Sequence, residues 1–139
     1  MHESEQFWDK ISDRYEKRII KNRDAYNKTL ENTRKHLNID DVVLECGCGT
    51  GTTAIEFADS VKEISAFDIS SKMIAIAERK AEAAKVENVH FTQSTILDER
   101  LKKESFDAVL AFNLLRREYC FLILRDALLW RRRHRRGSL

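Results

Sequence analysis

Residues 42–51, VVLECGCGTG, constrain the fold of this chain more than any other stretch. An apolar run ends abruptly in a turn with glycine at alternate positions, Gly47, Gly49 and Gly51, and an amphipathic segment follows at once. This pattern predicts a buried strand, a tight loop and a helix N-terminus. Glycine allows positive φ and close approach of the backbone to a bound molecule, and the helix start offers unpaired N–H groups. We interpret the turn as a ligand-binding corner; the alternative is a sharp strand-to-helix turn that binds nothing.

The other patterns alternate between helix and strand. Residues 4–22 place Phe7, Trp8, Ile11, Tyr15 and Ile19 at helical spacing with Ser4 as N-cap, and a weaker helical pattern ends at Asn38. After the glycine turn we predict a helix over 52–60, a strand over 63–68, a helix over 71–85, a strand over 89–92 and a buried strand over 105–113. This order requires an α/β fold with a parallel sheet and right-handed crossovers.

The length, 139 residues, suits one compact domain. We expect residues 1–115 to form it, and residues 116–139 to be an atypical tail that packs on it or extends from it. The N-terminus is polar and acidic, and no apolar run approaches the roughly 18 residues of a membrane helix, so we expect a cytoplasmic protein without a membrane partner. Three cysteines without a CxxC pair predict reduced thiols and no metal site.

Charge is distributed unevenly along the chain. Residues 1–115 carry 11 Lys and 6 Arg against 21 acids, whereas residues 116–139 carry 8 Arg, no Lys and 2 acids. A basic tail suits an acidic partner such as nucleic acid, but a terminal charge run is more often simply solvated, so we do not expect a nucleic-acid partner. The change from lysine to arginine also suggests a different reading frame or a fused sequence.

Asp68 ends the predicted strand over 63–68. In a βαβ unit the carboxyl end of the second strand lies beside the first glycine loop, where an acid can accept two hydrogen bonds from the vicinal hydroxyls of a ribose. We favour this interpretation. The alternative is an acid placed at a helix N-terminus by the macrodipole, since a helix begins at Ser70 or Ser71.

Residues 45–51, ECGCGTG, resemble the first motif of the class I S-adenosylmethionine-dependent methyltransferases, in which an acid precedes a GxGxG loop. Residues 67–74 are similar to the second motif, and residues 105–113 to the motif of the fourth strand. The stretch from Phe7 to Tyr15 resembles the N-terminal cap of small-molecule members. The resemblance covers residues 5 to about 115 and implies a Rossmann-like parallel sheet with N-terminal helices.

The resemblance also implies a set of cofactor-binding residues. By analogy, the methionine moiety is lined by Gly47, Gly49 and Gly51 with Cys48 between them, and Glu45 supports the loop and faces the amino group. Asp68 holds the ribose, Ile69 packs on adenine, and the adenine edge is bordered by Ser94, Thr95 and Ile96. Asn113 and Tyr15 lie near the methionine end, and Met73 belongs to the same set. We identify no catalytic base. The family commonly carries an acid where Thr95 stands; a hydroxyl accepts the bond of the adenine amine with less charge assistance, so we expect weaker cofactor affinity.

The C-terminal quarter departs from the family pattern. A complete fold has three further strands after the fourth, usually with a Pro-Gly-Gly turn, but this chain contains no proline and the match stops after Leu115. We therefore expect the C-terminal strands to be missing or replaced, because the reading frame is truncated or shifted. Residues 119–124 could return as a strand, or residues 119–133 could form one helix. A fourth strand left at an edge invites association, so we expect a homodimer through that edge or through the tail.

Three functions are compatible with these features. The leading interpretation is an S-adenosylmethionine-dependent methyltransferase that acts on a small molecule. The second is a truncated binding domain with weak or no activity, since walls that position an acceptor are missing. A nicotinamide-dependent oxidoreductase is a weaker third, because the loop spacing is GxGxG and not GxGxxG.

Overall fold

The computed structural model describes residues 3, 5–7, 9–12, 23–95 and 106–111. Its helices and strands, in chain order, are α1 (Arg23–Arg34), β1 (Val42–Cys46), α2 (Thr52–Phe57) with a 3-10 turn (Ala58–Ser60), β2 (Glu63–Asp68), α3 (Ser71–Ala83), β3 (Val89–Gln93) and β4 (Ala108–Ala111). The described residues between 3 and 12 are also helical. Among the described residues, no helix has the length and apolar character needed to cross a membrane.

The four strands form one parallel sheet in the order β3-β2-β1-β4. β1 lies between two neighbours, with Val43 opposite Ile64 of β2 and opposite Ala108 of β4. This confirms the predicted parallel α/β fold. The order reverses direction at β1, and in open parallel sheets ligands bind at the carboxyl ends of the strands next to such a reversal. The glycine turn follows β1 at that place.

Two apolar clusters cover the two faces of the sheet. One contains Val43, Phe57 and Ile64, and the other contains Leu44 and Phe67. Successive side chains of a strand point to opposite faces, so neighbours in β1 join different clusters. Four of the five residues of β1 are buried, as expected for a parallel strand covered on both sides. The core therefore fixes β1 and, with it, the glycine turn.

Helix α3 ends at Ala83, two residues before the predicted end at Lys85. The Val86 N–H donates to the Ala81 carbonyl at 2.9 Å, and the Lys85 N–H donates to the Glu82 carbonyl at 3.1 Å. This pair of bonds is the Schellman motif, which needs a left-handed residue, and Lys85 supplies it with φ of 56°. Glycine is usual at that position, so the sequence did not mark the end of the helix.

Several predicted elements lie outside the described residues. These are the helix beyond residue 12 up to residue 22, the connector 96–105, both ends of the predicted strand over 105–113, and the tail 116–139 with its alternative strand and helix. Helix α1 ends at Arg34, four residues before the predicted end at Asn38, and a turn follows.

Candidate functional site

The glycine turn is hydrogen-bonded to the end of β2. The Cys48 N–H donates to the Phe67 carbonyl at 2.9 Å, and the Gly51 N–H donates to the Cys48 carbonyl at 3.0 Å. Gly47, Gly49 and Gly51 have φ of 65°, 55° and 78°. The loop therefore lies against the neighbouring strand in a conformation that residues with a Cβ atom rarely adopt.

Gly51 is packed against protein atoms. A Cβ atom built there would lie 2.7 Å from Phe91 Cζ and 2.8 Å from Ala77 Cβ. The need for glycine at this position thus comes from the close packing of the loop on β3 and α3. Packing therefore explains the glycine at this position, and no ligand is needed for that explanation. Contact of the Gly51 backbone with a cofactor stays a prediction.

The carboxylate of Asp68 lies at the glycine turn. Its Oδ2 accepts from the Gly49 N–H at 2.9 Å, and its Oδ1 accepts from the Ser70 N–H at 2.9 Å. The side chain is half-buried, so it does not point into the core. Each carboxylate oxygen has two lone pairs, and one on each remains for a further donor such as a ribose hydroxyl.

The N-terminus of α3 is capped by Ser70. Its Oγ accepts from the Met73 N–H at 3.2 Å. Asp68 Oδ1 accepts from the N–H of this same N-cap residue, so the acid also serves the helix N-terminus, as the alternative interpretation expected. Its second oxygen binds the Gly49 N–H, so Asp68 joins the loop after β1 to the loop after β2.

Glu45 stands in β1, one residue before the strand ends. Its side chain is buried, with 1% of the residue exposed, and no described residue gives Oε2 a hydrogen bond. Burial, and second the nearby charge of Asp68, raise the pKa of Glu45 to about 8. A buried carboxyl without a partner is costly unless it is neutral or meets a cation. The residue therefore fits the ammonium group of an amino acid ligand.

Cys46 and Cys48 are free, buried thiols. Burial and then the charge of Glu45 raise the pKa of Cys46 to about 11, and burial together with the neighbouring acids also raises the pKa of Cys48. Since the thiolate is the nucleophilic form, neither group is prepared for nucleophilic chemistry at neutral pH. Cys48 lies in the glycine loop, and its contact with a cofactor stays a prediction.

The remaining predicted site residues are placed unequally. The Ser94 N–H donates to the Asp68 carbonyl at 2.9 Å, so Ser94 and Thr95, both half-buried, follow β3 beside the end of β2. Ile69 is half-buried, and its carbonyl accepts from Gln93 Nε2 at 3.2 Å. Met73 has only 1% of its surface exposed, so the described structure places it in the interior. Tyr15, Ile96 and Asn113 lie outside the described residues.

The N-terminal segment reaches this edge of the sheet through Asp9 and Glu5, two residues that were not among the predicted site residues. Asp9 Oδ1 accepts from Ser70 Oγ and, at 3.3 Å, from the Lys72 N–H. Glu5 Oε1 accepts from Gln93 Nε2 at 2.8 Å. These bonds join residues 61 to 88 positions apart, so no local pattern in the sequence signals them.

Comparison with known proteins identifies the family. Residues 43–124 match the model of a methyltransferase domain, and the chain belongs to that family. This confirms the resemblance that the motifs carry, and the Rossmann-like fold that it implies. The match extends to residue 124, so the expectation that it stops after Leu115 is wrong.

Individual relatives agree with this assignment. The uncharacterized methyltransferase YcgJ of Bacillus subtilis is 36% identical over 67 residues, which are 48% of this chain and 26% of that protein. Demethylmenaquinone methyltransferase of Porphyromonas gingivalis is 39% identical over 77 residues, 52% of this chain and 31% of that protein. The crystal structure of YcgJ aligns with a TM-score of 0.57 at 30% identity, covering 61% of this chain and 37% of that chain. The matched part thus spans about a quarter to a third of these curated relatives.

Proposed function

We propose that this chain binds S-adenosylmethionine and belongs to a methyltransferase that acts on a small molecule. The observation that carries the proposal is the bond between Asp68 and the Gly49 N–H, which joins the acid after β2 to the glycine turn after β1 at 2.9 Å. Membership of the methyltransferase domain family supports the same conclusion.

Each part of the cofactor has its own set of proposed binding residues. Asp68 would accept hydrogen bonds from the ribose hydroxyls. The backbone of Gly47 and Gly49 would line the methionine moiety, and Glu45 would face its ammonium group. Ile69 and Thr95 would border the adenine. When bound, the cofactor supplies a methyl group activated by a sulfonium. The chain supplies binding and orientation, and orientation alone can account for much of the rate of such a transfer.

The acceptor, the assembly and the location are part of the proposal. A relative named demethylmenaquinone methyltransferase, 39% identical over 77 residues, supports a small-molecule acceptor.

We propose a cytoplasmic protein that forms a homodimer through the edge of the sheet or through the tail, because unpaired strand edges favour association. Sedimentation velocity tests the dimer, and a strict monomer would contradict it.

Calorimetric titration tests the cofactor. We expect S-adenosylmethionine and S-adenosylhomocysteine to bind, and NAD not to bind. Asp68→Asn should weaken binding at least about tenfold, because a neutral amide loses the charge-assisted bonds to the ribose and to Gly49. Asp59→Asn is the matched control, since Asp59 is an exposed acid in the 3-10 turn.

Two outcomes separate the remaining alternatives. Binding of NAD in place of S-adenosylmethionine would favour the oxidoreductase. Tight binding without consumption of the methyl donor, across a panel of small acceptors, would favour a binding domain that lacks turnover. Equal affinities of Asp68→Asn and the wild type would contradict the assignment of the ribose acid.

A further inference from the structure

We propose that Glu45 is a proton-linked anchor for the cofactor: its carboxyl is neutral in the free protein and gives up its proton when an ammonium group binds beside it. This inference rests on the proposed function and concerns the same site. It adds that cofactor binding and proton release are one event.

The surroundings of Glu45 make a lone negative charge costly. In the sheet it lies opposite Ala66 of β2 and Leu110 of β4, both of them buried. Its Oε2 receives no hydrogen bond from any residue in the described part of the chain. A carboxyl in such a place is more stable protonated, and burial accordingly raises the pKa of Glu45 to about 8.

The charged groups near Glu45 act in the same direction. Asp68, at the end of β2, is the neighbouring acid that raises its pKa further. From β1 and its loop, Cys46 and Cys48 present thiols whose own raised pKa values keep them neutral. Burial and Asp68, the two causes of the raised pKa of Glu45, both oppose its ionisation.

A bound ammonium reverses this balance. A positive charge near Glu45 and Asp68 favours the ionised carboxylate. The N–H groups of the ammonium supply the hydrogen-bond donor that Oε2 lacks. The proton then leaves Glu45 for solvent and the positive charge of the ligand replaces it. A merely structural role for a neutral buried acid predicts no such release.

Proton counting by calorimetry tests the inference. Titrations with S-adenosylmethionine between pH 6 and 7, in buffers of different ionisation enthalpy, measure the protons exchanged. In this range an α-amino group stays largely protonated, so its own titration contributes little. We expect release of about one proton and an affinity that rises about tenfold per pH unit, because the pKa of Glu45 lies above the range.

Two matched controls assign the proton. Glu45→Gln should bind without proton release and with an affinity that does not change with pH. Methylthioadenosine, which keeps the nucleoside and the sulfur but lacks the ammonium, should bind the wild type without release; this comparison needs no variant to fold.

The possible results are distinguishable. Binding of S-adenosylmethionine without proton release overturns this inference and leaves the proposed function intact. Release that persists in Glu45→Gln also overturns it, because another group then titrates. Absence of any binding overturns both.

Discussion

A single buried acid gives the free protein an unusual pH dependence. Burial raises the pKa of Glu45 to about 8 in the folded chain, well above its ordinary value of 4.5. Between those values the folded state binds more protons than the unfolded state, so its stability falls as pH rises. We expect the free energy of unfolding to drop by about 2–4 kcal/mol between pH 5 and 8, because the unfolded carboxyl is ionised in this range while the folded one still holds its proton.

Glu45→Gln is the control for that slope, because the amide does not titrate. Urea unfolding of both proteins at several pH values measures the difference. The variant should show a much flatter profile than the wild type. Parallel profiles would mean that other groups cause the pH dependence.

Gly51 is the residue where packing and backbone conformation coincide. Its φ is 78°, and an added Cβ would lie 2.7 Å from Phe91 Cζ. We expect Gly51→Ala to lower the free energy of unfolding by about 3 kcal/mol, from left-handed strain together with overpacking. Thermal or urea unfolding measures this loss.

Phe91→Leu in the same background separates the two causes. If the ring causes part of the loss, the double variant loses less free energy of unfolding than the two single variants lose together. Strict additivity would show that the Phe91 ring does not cause the loss, which then comes from backbone strain and the contact with Ala77 Cβ.

At the scale of elements, the end of α3 offers a stabilising change. Lys85 occupies the left-handed position of the Schellman motif, with φ of 56°. Lys85→Gly should raise the free energy of unfolding by about 1 kcal/mol, because glycine adopts this conformation without steric cost. Thermal unfolding monitored by circular dichroism measures the gain.

Ala84→Gly is the matched control, one residue earlier. Ala84 has φ of −85° and ψ of −1°, which alanine adopts freely. Glycine there gains nothing and adds entropy to the unfolded chain, so the variant should be less stable. Equal effects of the two substitutions would contradict the assignment of the motif.

The elements also show what the sequence could predict. Val42 to Gly51 and Glu63 to Asp68 were located correctly because each is a short apolar run ended by glycine or by a polar residue. The end of α3 was misplaced because lysine fills the glycine position. The bonds of Asp9 to Ser70 and Lys72 were not predicted, since they depend on tertiary packing between distant segments.

For the whole molecule, topology accounted for most of the candidate site. Parallel strands bring the residues after β1, β2 and β3 to one edge of the sheet. The N–H groups of Gly49 and Ser94 both donate hydrogen bonds to Asp68, so the three loops are in contact there. Pattern alone could not foresee that Gly51 packs on Phe91, because that contact depends on a side chain from another element.

We expect the loops after β1 and β2 to bind the nucleoside of S-adenosylmethionine together. Amide hydrogen exchange with and without this ligand measures whether both loops are contacted. We expect added protection in residues 46–51 and 68–70 together, and none in the 3-10 turn at Ala58–Ser60. Protection in neither loop, or only in segments away from that corner, would contradict it.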